Sequence, residues 1–195
     1  MHPFAQEVFQ LNSTQKKLMS IGLARNVSTI FPSLVWYRIC LKNMFRPSQQ
    51  MMEYLSPYLE RFRGKYVIGM HARMGSGAAT WHDGTKFLKI TMVTSKVLEI
   101  KRKMRWRKDS VFFLSTDSDK VERYFKKRFG AAVIVVDSFP RMHVGKKGVS
   151  EVAVIRSFMD IYLLGQCNFL YLTPGSGFST AGLAINTKKP KVVYI

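Results

Sequence analysis

Three polar clusters, each at the end of a short apolar run, hold the residues that could do chemistry in this chain. The first run, YVIGMHA (66–72), ends on His71 and passes straight into Arg73-Met74-Gly75-Ser76-Gly77. Side chains alternate along a strand, so His71 and Arg73 share a face. A guanidinium at a strand end, followed by glycines that let the backbone come close, suits a bidentate grip on phosphate. The plainer readings are an arginine paired with a carboxylate at the sheet edge and a structural histidine. The second cluster is Ser115-Thr116-Asp117-Ser118-Asp119, directly before the helical stretch VERYFKKRF. These residues have the chemistry of ligand contacts and equally that of a helix cap. The third is Thr173-Pro174-Gly175-Ser176-Gly177-Phe178-Ser179-Thr180, leading into Ala181-Gly182-Leu183. Free backbone N–H groups at a helix start, glycines and hydroxyls together make an anion site. Neither Ser176 nor Ser179 is flanked by glycines as a G-x-S-x-G nucleophile elbow requires, and no Lys-Ser or Lys-Thr completes a phosphate-binding Walker loop.

These clusters must be positioned by the elements between them. The runs YVIGMHA, SVFFLST, AAVIVVDS, NFLYLT and KVVYI are nearly continuous in apolar residues, the pattern of strands covered on both faces. Between them, TKFLKITMVTSKVLEIKRKM, DKVERYFKKRF, VSEVAVIRSFMDIYLLGQ and FSTAGLAI have helical apolar periods. This alternation predicts an α/β fold, a parallel sheet with helices on both faces, whose ligands bind beyond the carboxyl ends of the strands. Upstream, residues 1–62 read as a helical, irregular region. A helix is expected to start after Arg46-Pro47-Ser48, with Met51, Met52, Leu55, Tyr58 and Leu59 on one side.

Length and composition fit a single core: 195 residues, 47% of them hydrophobic. No apolar stretch approaches the roughly 18–20 residues of a membrane span, and the start MHPFAQEVFQ does not resemble a secretory signal. Cys40 and Cys167 are too few for a disulfide framework and lack metal-ligand spacing. Nor are any carboxylates paired at a spacing suited to Mg²⁺. The formal net charge of +19 points to polyanionic partners or to a generally basic surface. Its densest run, Lys101 to Lys108, carries Trp106 among cations. Such a run suits either a nucleic-acid-binding module or the solvated C-terminal end of a helix. From the residues alone the reading is an α/β domain that binds a phosphorylated ligand.

Over roughly residues 44–195 the chain also resembles the GDP-fucose-dependent fucosyltransferases, taking the α1,6-, protein-O- and plant xyloglucan-type branches together. YVIGMHARMG resembles the family's first motif, with a histidine two residues before the key arginine. FFLSTDSDKVERYFKKRFG is similar to the second, and FMDIYLLGQCNFLYLTPGSGFSTAGLAI to the third, in which an aspartate precedes a serine by sixteen residues, here Asp160 and Ser176. The upstream MFRPSQQMMEYLSPYLERF resembles the helix before the first motif.

The resemblance implies the C-terminal, donor-binding half of a GT-B glycosyltransferase. Residues 63–195 would be its Rossmann-like GDP-sugar-binding domain and residues 1–62 a remnant or edge of the acceptor half. It implies an inverting, metal-independent fucosyl transfer to a glycan or protein hydroxyl, with GDP-fucose as donor substrate and no cofactor. Arg73 would grip the β-phosphate and act catalytically. His71 and Asp160 would hold the guanine, Asp117 would lie near the nucleotide, and Ser176, Phe178 and Ser179 would line the pyrophosphate and base pocket. His82 and Asp83, which follow the Arg73 loop, are candidates for a general base. It also implies a Golgi or endoplasmic reticulum lumen, to which Asn12-Ser13-Thr14 and Asn26-Val27-Ser28 add two glycosylation triplets. Met74 stands where the α1,6 enzymes place a second arginine, which argues against core fucosylation of N-glycans. The partners expected are the sugar nucleotide, a glycan or glycoprotein acceptor and a separate N-terminal half. A catalytically silent GDP-binding module and a nucleic-acid-binding domain are the alternatives.

Overall fold

The structure is a computed structural model that describes residues 46–75, 88–140 and 151–195. His82, Asp83, Cys40 and both glycosylation triplets lie outside the described residues. The described elements, in chain order, are α1 (Gln49–Phe62), β1 (Tyr66–Ala72), α2 (Ile90–Trp106), β2 (Ser110–Thr116), α3 (Asp119–Phe129), a 3₁₀ turn (Gly130–Ala132), β3 (Val133–Ile134), α4 (Glu151–Leu164), β4 (Phe169–Leu172), α5 (Gly177–Ile185) and β5 (Lys191–Tyr194). All five strands are parallel, in the order β3-β2-β1-β4-β5. The chain winds outward from β1 in one direction through β2 and β3 and in the other through β4 and β5. The switch point therefore falls between β1 and β4, where an open α/β sheet has its ligand crevice.

Alternation along β1 divides the core in two. Ile68, Met70 and Ala72 pack with Val93, Val97 and Ile100 of α2 and with Val121 and Phe125 of α3. Val67, on the opposite side, packs with Leu55 and Tyr58 of α1 and with Met159 and Leu163 of α4. Helices thus cover both faces, as the apolar runs require. The next residue on the Val67 side is Gly69. A Cβ there would lie 2.5 Å from Cys167 Sγ and 2.9 Å from Leu170 Cδ2, so only glycine lets β4 approach β1 at this level.

Helix ends follow their local chemistry. Ser48 caps α1 by accepting from Met51 N at 3.2 Å, and Ser118 caps α3 by accepting from Val121 N at 3.4 Å. Asp119 and Glu122 occupy the first turn of α3, and Lys126, Lys127 and Arg128 the last, an arrangement that complements the helix dipole.

Three expectations need correction. AAVIVVDS pairs only through Val133 and Ile134, because the 3₁₀ turn takes up its first residues. Beyond them the Tyr58 hydroxyl accepts from Asp137 N and Ser138 N at 3.3 and 3.4 Å, replacing ladder bonds. KVVYI is half-exposed rather than covered on both faces, since no described strand pairs beyond it. In α1 the buried side is Leu55, Tyr58 and Phe62, and Met52 points outward. Leu55 to Phe62 is a spacing of seven, two helical turns, and this brings Phe62 edge-on to Phe113 at 5.7 Å.

Candidate functional site

The site grows from the way β1 ends. Two threonines, one from each flanking strand, extend the sheet's hydrogen bonding beyond the last ladder pairs. Thr116 Oγ1 donates to Ala72 O at 2.8 Å, and Thr173 Oγ1 donates to His71 O at 2.9 Å while accepting from Arg73 N at 3.0 Å. Asp117 closes the next step: its carboxylate accepts from Met74 N at 2.7 Å and from Gly75 N at 3.0 Å. A carboxylate accepting two backbone N–H groups is a strong, charge-assisted clamp. Gly75, at φ +68°, supplies the left-handed backbone that presents its N–H beside that of Met74. The backbone of residues 71–75 is therefore fixed from both sides, and with it the point from which the Arg73 side chain leaves the sheet.

His71 lies on the α4 and α5 side of the sheet and is buried. Its Nδ1 is 2.7 Å from Ser179 Oγ, and its ring stacks on Phe178 at 4.9 Å and 20°. Burial, reinforced by the Arg73 charge, lowers its pKa to about 3. The imidazole is thus neutral at physiological pH. With Nδ1 engaged, Nε2 offers a hydrogen-bonding position without a charge.

The loop from β4 into α5 faces this ring. Thr173 and Ser176 are fully buried, and Ser176 Oγ finds no hydrogen-bond partner among the described residues. Ser176 occupies the N-cap position of α5, yet its hydroxyl makes no capping bond. Its carbonyl accepts instead from Thr180 N and Thr180 Oγ1, both at 3.0 Å. A buried hydroxyl without a partner is costly, and at the positive end of a helix it suits an anionic oxygen. A cavity of about 220 Å³ opens beside this loop, with Thr173, Gly175, Ser179, Thr180 and Tyr194 in its wall but not Ser176, His71 or Arg73. That is below the ~300–1,000 Å³ usual for a complete small-molecule pocket. It has room for a base or a phosphate, not for a whole sugar nucleotide.

Among the sequence-derived candidates, direct contacts join His71, Phe178 and Ser179, and hydrogen bonds through Thr173 and Asp117 tie the Arg73 backbone to the same strand ends. Asp117 does more than lie nearby: it clasps the loop that follows Arg73. The helix cap expected from the same cluster is Ser118 alone. Asp160 is buried on α4, one turn after Arg156, with Arg156 Nε 4.0 Å from Asp160 Oδ2. Arg156 is itself buried, and its Nη1 donates to Phe139 O at 2.7 Å. Pairing of this kind is what buried charges require.

Sequence reasoning missed the two threonines as structural keys, and it missed Arg156. The signal for the threonines was available: two of the expected strands, SVFFLST and NFLYLT, end in Thr, at Thr116 and Thr173. Among the described residues, no group of three His, Cys, Asp or Glu side chains could hold a metal ion, and no helix is long and apolar enough to cross a membrane.

Strand order, the switch-point crevice and the polar strand ends define a Rossmann-like α/β domain with a half-built ligand site. A model of the nodulation protein Z (NodZ) family matches residues 38–187, and the chain belongs to that family. A nodulation protein Z from Azorhizobium caulinodans is 29% identical over 130 residues, 63% of this chain and 39% of the relative. The chain thus spans about two fifths of the curated relative that it matches. Among solved structures, NodZ α-1,6-fucosyltransferase co-crystallized with GDP is 20% identical over 69% of this chain and 41% of that one, with a TM-score of 0.46. POFUT1 in complex with GDP is 10% identical over 77% of this chain and 47% of that one, with a TM-score of 0.47. Likenesses this partial carry no weight beyond that of the family match.

Proposed function

We propose that this chain is the donor-binding half of a GDP-fucose-dependent fucosyltransferase, working by inversion and without a metal. One observation carries the reading. At the switch point, the clamped Arg73 loop of β1 is bonded to Thr173, at the head of the loop that leads to the Ser176 start of α5, where a buried hydroxyl has no partner among the described residues. Family membership supports the choice of donor, since NodZ is described as an α-1,6-fucosyltransferase.

In this reading Arg73 holds the β-phosphate of GDP-fucose, and Ser176 with the N-terminus of α5 takes a pyrophosphate oxygen. His71, neutral and braced by Phe178 and Ser179, directs Nε2 to the base, and Asp160 serves the guanine from α4. Asp117 acts on the nucleotide through the loop that it clasps. As the bond between the sugar's anomeric carbon and the phosphate oxygen breaks, positive charge spreads over the sugar ring and negative charge collects on GDP. A fixed cation beside that phosphate stabilises the transition state more than the ground state. An acceptor hydroxyl, on a glycan or protein, attacks from the opposite face and gives up its proton. The acceptor side belongs to an N-terminal half, and His82 and Asp83, which follow the Arg73 loop, are the candidates to take that proton.

A Golgi or endoplasmic reticulum location comes only from the resemblance to other branches of the superfamily. The curated relative is bacterial and lends it no support.

The test is calorimetric titration of GDP and of GDP-fucose into the chain and into Arg73→Ala, at low and moderate salt. Saturable GDP binding that survives moderate salt and is lost in Arg73→Ala is the expected result. GDP binding without transfer to any acceptor, even with an N-terminal half present, would make the chain a silent nucleotide module. Binding of any polyanion, collapsing steeply with salt, would replace the reading by a nucleic-acid one.

A further inference from the structure

The basic run that the nucleotide site leaves unused forms a surface of its own on α2. The buried side chains of this helix are Val93, Val97 and Ile100. At 3.6 residues per turn, Leu98, Arg102, Arg105 and Trp106 fall within about 100° of arc on the side directly opposite. Leu98 is 79% exposed and Trp106 is 84% exposed. Between residues 96 and 108 there are seven cations and one carboxylate, Glu99.

The cations on the flanks of α2 are engaged. Lys96 and Lys103 pair with Glu99, Lys101 lies over Phe129, and Arg107 lies over Tyr66. Those on the outer stripe, Arg102 and Arg105, make no hydrogen bond or ion pair among the described residues and stand exposed beside the two large apolar side chains. Large apolar groups in water beside unpaired cations have the chemistry of the boundary between lipid headgroups and acyl chains.

We propose that the outer stripe of α2 docks on an anionic lipid bilayer, with Trp106 and Leu98 entering the headgroup layer and Arg102 and Arg105 meeting lipid phosphates. The stripe is convex and has a single aromatic, whereas single-stranded nucleic acid is held in grooves with successive aromatic platforms. The orientation also leaves the nucleotide end clear. Arg107 lies over Tyr66, the first residue of β1, and Arg73 follows the last, about 20 Å along the strand. The stripe faces away from the sheet, so docking on it leaves the switch-point crevice uncovered. This proposal stands independently of the donor reading.

The experiment is co-sedimentation of the whole chain with phosphatidylcholine vesicles, with and without phosphatidylglycerol, alongside binding of a labelled single-stranded oligonucleotide. The variants are Trp106→Ala, Leu98→Ser and Arg102→Gln/Arg105→Gln. A control, Lys120→Gln/Lys127→Gln, removes two exposed cations from α3 instead. Thermal melting verifies that each variant is folded, as expected for exposed positions. Binding should require phosphatidylglycerol, fall about thirtyfold in the double-arginine variant, weaken in Trp106→Ala and Leu98→Ser, and change less in the control. Three outcomes each overturn the proposal: no vesicle binding, equal losses in the α2 and α3 double variants, or oligonucleotide binding that depends on Trp106 where vesicle binding does not.

Discussion

The two ends of β1 are held by different physics. Its first residue, Tyr66, is surrounded by exposed charges: Lys65 pairs with Asp109 at 3.4 Å with both side chains largely in water, and Arg107 lies over the ring. Its last residues and the loop after them are held by buried hydroxyls, a bidentate carboxylate and the Phe178 ring stacked on His71. Solvent screens the contacts at the first end, so each is weak and replaceable. At the other end the contacts are short and shielded, so losing one leaves a polar group stranded. A strand end that must hold an arginine in one place needs the second kind of support.

Four substitutions or conditions test this contrast. The largest effect is expected from Arg73→Ala, which should weaken GDP binding or turnover by about two to three powers of ten while leaving the melting temperature nearly unchanged. A variant that binds GDP as well as the parent would remove Arg73 from the site.

Next is pH. His71 has its folded pKa lowered to about 3 against an ordinary 6.5, so the unfolded chain takes up the proton first. The stability this histidine contributes is complete above pH 6.5 and is lost as pH falls toward 3. The slope approaches about 1.4 kcal/mol per pH unit within that window. Urea midpoints at pH 7 and pH 5 should separate, and His71→Asn should shrink the separation.

Asp117→Ala strands the N–H groups of Met74 and Gly75 and should cost about 1–3 kcal/mol in denaturant titration. It should also weaken GDP binding through disorder of the Arg73 loop, with Asp117→Asn recovering part of both losses. Equal behaviour of the Ala and Asn variants would deny the clamp. Smallest is Lys65→Ala, at the opposite end of β1, where breaking the exposed pair should cost no more than about 0.5 kcal/mol. A cost matching that of Asp117→Ala would erase the contrast between the ends.

The legible and illegible parts divide along similar lines. YVIGMHA, SVFFLST and DKVERYFKKRF were readable to the residue, because a buried parallel strand and a capped amphipathic helix each follow from local pattern. AAVIVVDS was over-read, since strand length at a sheet edge depends on what neighbours offer its backbone, and there the Tyr58 hydroxyl substitutes for a strand. In the site, His71 and Arg73 could be paired from period two alone. Asp117 could be nominated but not given its task, because a helix cap and a loop clasp look the same in sequence.

The chain's own residues determined which segments become strands and helices, that the sheet is parallel, and that the polar residues collect at strand ends, because these follow from periodicity and from the need to cover apolar faces. Only the tertiary structure decided the strand order, and with it the switch point between β1 and β4. Only it brought Ser179 and Phe178 onto His71, and Asp117 onto the backbone after Arg73. The reason is range: propensity and periodicity act over a few residues, whereas these contacts join positions 42 to 108 apart in sequence, and such contacts exist only once the whole sheet has formed.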